Sequence, residues 1–259
     1  MTHPNGGGDG GIIRCEDLKK AFGRHQVLDG VTCSLPAGEI SIIMGPSGTG
    51  KSVLLRHFVG LLTPDAGDVI VDGKHVPRLK EEQLLELRRN VGMLFQDGAL
   101  FSSMNLFDNV AFPLRQHTRL SESKIRETVM KRLKDVGLAG AEKRMPNELS
   151  GGMRKRAGFA RALVLEPKLM LFDEPDSGLD PVRTSLLCEL IKEIQRKEGN
   201  SAVVISHDIK SVFNVGDYIV LLHGGRVVDE GSREDIKNSD RQFTRQFIAG
   251  AVEGPLGMD

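Results

Sequence analysis

A chain of 259 residues is long enough for one large domain, or for a domain that carries a subdomain. Lysine plus arginine and aspartate plus glutamate balance at 35 each, which removes any global electrostatic case for a nucleic-acid partner. No apolar run approaches the roughly 18 to 20 residues that span a bilayer.

Residues 1–10, with Gly6-Gly7-Gly8 and Gly10, lack the apolar core of a signal peptide and read as a disordered tail. Cys15, Cys33 and Cys188 leave an odd cysteine and form no C-x-x-C pair, so buried free thiols in a reducing compartment are expected. The expectation is a soluble, cytoplasmic protein whose membrane role comes through a partner. Ile12 to Cys15 and Val31 to Leu35 read as strands, with Phe22 beside Gly23 in their connection as a core or loop aromatic. The turn Pro36-Ala37-Gly38 leads into Ile40 to Met44, an apolar run that reads as a buried strand.

Gly45-Pro46-Ser47-Gly48-Thr49-Gly50-Lys51-Ser52 follows that strand and matches G-x-x-x-x-G-K-[ST]. It opens a helical pattern at Val53, Leu54, Leu55, Phe58 and Val59. A chance glycine turn ending in Lys-Ser would not also need a strand before it and a helix after it. The glycines let the backbone wrap a polyphosphate, and the amides at the helix start face it. Lys51 would reach the β- and γ-phosphates, and Ser52 Oγ would hold Mg²⁺. A dinucleotide G-x-G-x-x-G beginning at Gly48 would require glycine where Val53 stands.

Thr63 to Gly67 then breaks the chain, and Asp68 to Asp72 ends in an Asp-Gly turn. A charged helix is expected at about 80–89, and Val91 to Phe95 is a short buried strand ending at Gln96. Residues 97–160 change character. Ser121 begins a helix with Ile125, Val129, Leu133 and Val136 on one face, and Gly137 stops it. A second helix starts near Ser150, after Pro146. This stretch reads as a helical subdomain inserted into an α/β core. Leu169 to Phe172 is a continuous apolar run, as expected of a parallel strand buried on both faces. Leu186 to Ile194 reads as helix, Ala202 to Ser206 as strand, and Tyr218 to Val228 as a hairpin turning at Gly224-Gly225. Residues 232–259 are charged, then rich in Gly and Pro, suggesting a short helix and a tail.

Two further features carry chemistry. Asp173 and Glu174 fall at the end of an apolar strand. Two solvated acids are common there, but beside a P-loop Asp173 is the expected second anchor for Mg²⁺, and Glu174 can orient or deprotonate a water. Ser150-Gly151-Gly152 makes a second anion-binding helix N-terminus, although as a bare pattern it is also an ordinary loop or cap. Arg154-Lys155-Arg156 reads as a solvated helix face. His25, His57, His75, His117 and His223 show no partner pattern and read as surface or core residues.

Taken in order, these motifs resemble the nucleotide-binding subunits of ABC transporters over about residues 12–232. Gly45 to Ser52 looks like Walker A, Gln96 like the Q-loop, and Leu149 to Met153 like the signature. Leu169 to Glu174 looks like Walker B, Ser177 to Asp180 like the D-loop, and His207 like the switch histidine. Phe22 falls where the family puts an aromatic under adenine. The resemblance implies an α/β P-loop NTPase (RecA-like) ABC ATPase core at 11–96 and 164–232 and a helical signature subdomain at 97–163. Residues 233–259 would form a C-terminal helix and tail.

It also implies an ATPase with ATP and Mg²⁺ as cofactors, in which two subunits sandwich two ATP molecules head to tail. Ser150, Gly151 and Gly152 of one subunit would meet the γ-phosphate on the P-loop of the other. Glu174 would activate water, His207 would contact the γ-phosphate, Asp180 would lie in the shared site, and Gln96 would bind Mg²⁺ and report occupancy to the helical subdomain. The closed dimer would be stabilised by ATP and released by hydrolysis.

Met153 replaces the usual signature glutamine, and Asp176 and Gly178 are also departures. With Phe95 to Phe101, Gln246-Phe247 and Gly254-Pro255, these resemble the ATPases of Mce/Mla-type lipid transporters, most closely the actinobacterial Mce branch. That branch implies a second ATPase subunit, a membrane permease and Mce-type lipid-binding proteins as partners. The ATPase would sit peripherally on the cytoplasmic face of the inner membrane. A small-solute importer and a soluble ABC ATPase acting on DNA or ribosomes are the alternatives, the latter opposed by a single cassette without heptads or basic excess. Phe101, Met104, Leu106 and Phe107 either receive the permease or form the subdomain's own core. Phe243 and Phe247, at i and i+4, suggest that the tail latches onto the opposite subunit or a regulator.

Overall fold

Two sheets and a set of helices arise from the chain in the computed structural model, which describes residues 11–206, 208–209, 213 and 215–256. The expected tail at 1–10, His207 and the last three residues lie outside those residues. The first sheet is antiparallel, built from β1 (Gly11–Phe22), β2 (His25–Pro36), β4 (Ala66–Val71) and β5 (Lys74–His75) in the order β2-β1-β4-β5. The second contains β3 (Ile40–Met44), β6 (Val91–Leu94), β7 (Leu169–Asp173), β8 (Ser201–Ile205), β9 (Tyr218–His223) and β10 (Arg226–Ser232). Its order is β10-β9-β3-β8-β7-β6, and every pair except β10–β9 is parallel.

The apolar runs of the second sheet are explained by burial on two faces. Ile40, Ile42, Met44, Met170, Phe172, Ala202, Val204, Ile219 and Leu221 enter one core, shared with α5 (Gly151–Leu163) and α6 (Pro181–Glu198). The alternate residues Ile43, Leu169, Leu171, Val203, Ile205, Val220 and Leu222 enter a second core with α1 (Lys51–Phe58) and the small sheet. The period of two along each strand thus assigns side chains to two separate cores.

Strand β1 is three times longer than the expected four-residue run. Glu16, Asp17, Lys19 and Lys20 interrupt the apolar pattern, and Asp17 at φ 46° sits in a bulge between Cys15 and Leu18. The ladder continues past the bulge, so Phe22 is the last residue of a strand and pairs with His25. Cys15 faces Cys33 in that ladder; both are buried free thiols, as is Cys188.

Three helices occupy the stretch between β6 and β7. Beside α5, these are α3 (Leu106–His117) and α4 (Glu122–Asp135). Asn105, Ser121 and Ser150 cap them, each side-chain oxygen accepting from the amide three residues on. Gly137, at φ 67°, follows α4 where a left-handed residue ends the helix. Leu106 and Val110 are fully buried in the core, whereas Phe101 is exposed and rests on Phe112, with ring centroids 4.9 Å apart. The apolar residues at 101–110 therefore divide between core and surface. The chain also contains α2 (Glu81–Arg89), α7 (Arg233–Lys237) and α8 (Gln242–Ala249), the last bearing Phe243 and Phe247 stacked with centroids 6.1 Å apart.

A buried guanidinium ties α4 to the C-terminal end of α6. Arg132 is 1% exposed and donates to Glu198 Oε1 at 2.7 Å and Glu166 Oε1 at 3.1 Å. Its hydrogen bond holds the Glu198 carboxyl below the usual carboxylate value, against the opposing effect of burial. A carboxyl depressed in the folded state contributes stability that is complete above its unfolded value and is lost as pH falls through its folded value. Glu198→Gln should therefore cost about 1 to 2 kcal/mol at neutral pH. The gap between the two melting temperatures should close as the pH is lowered from about 5 to 3. Thermal melts of both proteins across that range check it; a gap that is constant with pH would contradict it.

Candidate functional site

The carboxyl ends of the parallel strands gather the chemistry, at the edge where open α/β sheets bind ligands. The loop 45–50 leaves β3 and enters α1, Asp173 ends β7, and Gln96 lies two residues beyond β6. Ser52 Oγ donates to Asp173 Oδ1 at 2.8 Å, joining two residues 121 apart in sequence. A hydroxyl and a carboxylate meeting at that distance form an oxygen donor set suited to a small hard cation, so the residues fit Mg²⁺.

Lys51 is 5% exposed, and its ammonium donates to Gly45 O at 2.9 Å and Pro46 O at 2.8 Å. Burial lowers its pKa, while the Glu174 and Asp173 charges push it back up. Thr49 Oγ1 donates to Pro46 O at 2.9 Å and closes the loop. A buried ammonium held by loop carbonyl oxygens at a helix start is an arrangement that a polyphosphate would satisfy better than the loop itself does. Val27 and Leu28 of β2 pack against Gly50, which brings the β1–β2 hairpin to the mouth of this loop. Phe22, at the tip of the hairpin, is 48% exposed and open to stacking.

Glu174 has φ 49°, an uncommon conformation for a side chain other than glycine, and its amide donates to Ile205 O at 3.0 Å. Gln96 is oriented differently from the Ser52–Asp173 pair, for its Nε2 donates to Ser177 Oγ at 2.9 Å. Asp180 caps α6, accepting from the Arg183 amide at 3.0 Å. Ser47 and Gly48 lie in the loop with Gly45 and Thr49.

Ser150 is the N-cap of α5, and its hydroxyl accepts from the Met153 amide at 3.3 Å. The two glycines after it have no internal reason to be glycine. A Cβ on Gly151 would come no closer than 3.9 Å to any neighbour, and one on Gly152 no closer than 3.7 Å. Glycine in a helix costs about 1 kcal/mol relative to alanine. The bare helix start is therefore suited to something that approaches from outside the chain.

The solvated helix face expected at 154–156 is not observed. Arg154 bonds Leu149 O, Arg156 bonds Val136 O, and Lys155 is 5% exposed with its ammonium on Pro175 O and Ser177 O. The missed signal was helical spacing: Lys155 leads Phe159 and Leu163 by four and eight residues, on the buried stripe. Further along, Gly98 and Gly158 meet backbone to backbone; a Cβ on Gly158 would stand 2.7 Å from Gly98 O.

If Ser52 holds Mg²⁺, replacing it with alanine should raise the Mg²⁺ concentration needed for half-maximal activity at least about tenfold, since one of few protein oxygens would be lost. Titrating Mg²⁺ at saturating ATP checks it, and an unchanged requirement would remove Ser52 from the metal site.

The sequence profile of the family described as "ABC transporter" matches residues 28–177. The chain is 48% identical to the probable ribonucleotide transport ATP-binding protein mkl of Mycobacterium leprae, over 97% of this chain and 74% of that protein. It is 42% identical to the intermembrane phospholipid transport system ATP-binding protein MlaF of Escherichia coli K12, over 95% of this chain and 91% of that protein. Among solved structures it resembles cbiO1 of Clostridium perfringens, part of the ABC transporter complex cbiONQ, with a TM-score of 0.82 and 30% identity over 92% and 95% of the two chains. It also resembles the ATP-binding cassette MJ0796, seen as a dimer in a post-hydrolysis state with ADP and Pi. That match has a TM-score of 0.78 and 30% identity over 85% and 98% of the chains.

Proposed function

Because the chain belongs to the ABC transporter family as an ATP-binding, ATP-hydrolysing subunit, we propose that it forms a head-to-tail homodimer that powers a membrane permease moving lipid across the cell envelope. The observation that carries the catalytic half of this reading is the Ser52–Asp173 hydrogen bond, with Lys51 beneath the loop and Glu174 next in the chain. On this reading Ser52 and Asp173 would hold Mg²⁺, which would neutralise charge on the phosphates. Lys51 and the loop amides of 45–50 bind the phosphates, Phe22 stacks on adenine, and Glu174 takes a proton from the attacking water. Gln96 would offer its amide oxygen to Mg²⁺, and because its Nε2 bonds Ser177, one side chain would link the metal to the segment after β7. His207, beyond Ser206, completes the γ-phosphate contacts.

The glycines at 151 and 152 support the dimer. Their cost to the helix is explained when the γ-phosphate held by a second copy meets the start of α5. In this reading the core comprises 11–96 and 164–232, the signature subdomain 97–163, and 233–259 a C-terminal extension. No helix among the described residues is long and apolar enough to cross a membrane, so attachment runs through the permease, on the cytoplasmic face.

The relatives name two cargoes, ribonucleotide for mkl and phospholipid for MlaF. The match to MlaF extends over nine-tenths of both chains, and it supports lipid, delivered with Mce-type lipid-binding proteins. Affinity purification from native membranes in mild detergent, followed by mass spectrometry of proteins and lipids, tests this. Recovery of a multi-spanning permease with Mce-type proteins and phospholipid or sterol is expected. Recovery of a permease with a small-solute receptor and no lipid would favour the other cargo and overturn the lipid reading.

A further inference from the structure

The segment 174–179 carries Glu174 out of β7 and leads to α6, and it has little structure of its own. Its internal hydrogen bonds are Ser177 N to Glu174 O at 3.2 Å and Leu179 N to Asp176 O at 3.1 Å. Among the described residues, hydrogen bonds from three side chains elsewhere hold it. Gln96 reaches Ser177 Oγ from the end of β6, and Ser206 Oγ donates to Asp176 Oδ2 at 3.0 Å from the end of β8. The third, Lys155, donates to Pro175 O at 2.8 Å and to Ser177 O, bracketing Asp176.

Lys155 differs from the other two in where it stands. It lies five residues into α5, about 7.5 Å along the axis from Ser150. It is 5% exposed, its positive charge lies near Asp176, Asp97 and Glu174, and Asp176 is itself 6% exposed. A buried ammonium that bonds two main-chain carbonyls fixes backbone position, and such a charge-assisted contact is stronger than a neutral one. The helix whose first turn faces outward and the segment bearing Glu174 are thereby pinned to each other inside one chain.

We infer that Lys155 is a positioning residue that couples the two nucleotide sites of the dimer, passing the seating of α5 against the partner's nucleotide to Glu174 of its own site. The inference rests on the head-to-tail reading given above. It follows from geometry: in that dimer Ser150 belongs to one site and Glu174 to the other, and Lys155 joins the two elements through Pro175 and Ser177.

The test compares the full chain with Lys155→Met, which keeps the length of the side chain, and Lys155→Arg, which keeps a charged donor. Phosphate release against ATP concentration gives kcat, KM and the Hill coefficient, and a fluorescent ATP analogue gives binding affinity. Lys155→Met should lower kcat at least tenfold, keep KM and analogue affinity within threefold, and bring a Hill coefficient above 1 down to about 1. Lys155→Arg should recover at least a third of kcat together with the cooperativity. Loss of analogue affinity in parallel with kcat, or a Hill coefficient that stays at the wild-type value, would overturn the coupling role and leave Lys155 a packing residue. If Lys155→Met fails to fold, Lys155→Arg and Lys155→Gln carry the same comparison. A wild-type chain that hydrolyses ATP without cooperativity at any protein concentration would instead overturn the two-site dimer, which separates that failure from failure of Lys155.

Discussion

Replacing Glu174 with glutamine is expected to lower ATP hydrolysis at least about 100-fold, the range associated with loss of a positioned general base. The substitution keeps the size of the side chain but removes the carboxylate that, in the proposed reading, would take the proton. Nucleotide binding should change little, because in the proposed reading the phosphates belong to the loop 45–50 and to Lys51, which lies against Gly45 O and Pro46 O. Loss of the Glu174 charge removes one of two carboxylates that support the buried ammonium of Lys51, while Asp173 remains. With hydrolysis blocked and binding intact, ATP and Mg²⁺ should shift the protein toward a dimer that persists, since the contacts that hold it are no longer broken by turnover. Phosphate release, analogue binding and light scattering with and without ATP read the three effects. Activity above a tenth of wild type would assign the base elsewhere.

Gly45→Ala should damage the fold and the site together. Gly45 has φ 151°, and a Cβ there would lie 2.0 Å from Leu222 O, a backbone atom of the neighbouring strand β9. No rotamer relieves such a clash, so either the loop leaves its path or β9 shifts in the sheet. Backbone strain and overpacking together suggest a loss of about 2 to 4 kcal/mol. For a chain of this size that corresponds to a melting temperature lower by roughly 5 to 12 °C. ATP affinity should fall more than tenfold, because the displaced loop would no longer hold the Gly45 and Pro46 carbonyls and the Lys51 ammonium in their present arrangement. Gly48→Ala is the matched control. Its φ of 79° also suits glycine, yet a Cβ would have open space within 4 Å, so it should lose about 1 kcal/mol and retain most binding. Equal losses in the two variants would show that conformation, not the contact with Leu222, is what matters at Gly45.

The strands of the parallel sheet were readable because burial on both faces writes an uninterrupted apolar run, as at Leu169 to Phe172. Helix α4 was readable from its cap at Ser121 and stop at Gly137, which are local chemistry. Long-range compensation hid the rest. The charges at 16–20 masked the second half of β1, whose continuation depends on partners in β2 and β4 rather than on its own pattern. Helix α3 contains Pro113 and begins among apolar residues that could equally be surface, and only its packing on α5 assigns Leu106 and Val110 to the core. Within the candidate site, the loop and the strand-end acids could be read from spacing, but the contact between Ser52 and Asp173 required the sheet to bring them together. The burial of Lys155 was readable from its helical spacing to Phe159 and Leu163, but its partners were not. Its acceptors, Pro175 O and Ser177 O, are backbone atoms 20 and 22 residues away, and no side-chain pattern records a carbonyl.

The placement of the three cysteines gives the molecule a built-in clock for its own unfolding. Cys15 is fully buried, and its thiol is held well above its ordinary pKa by the hydrogen-bonding neighbour Cys33 and by burial; burial likewise pushes Cys188 up to about 12. Alkylation needs a thiolate and a path to it, so the native state offers a maleimide almost nothing to attack. The rate at which the unaltered protein takes up label then reports how often the hairpin or α6 opens. A single cysteine added on the surface would react well before the native three, whose slow labelling would remain separable from it.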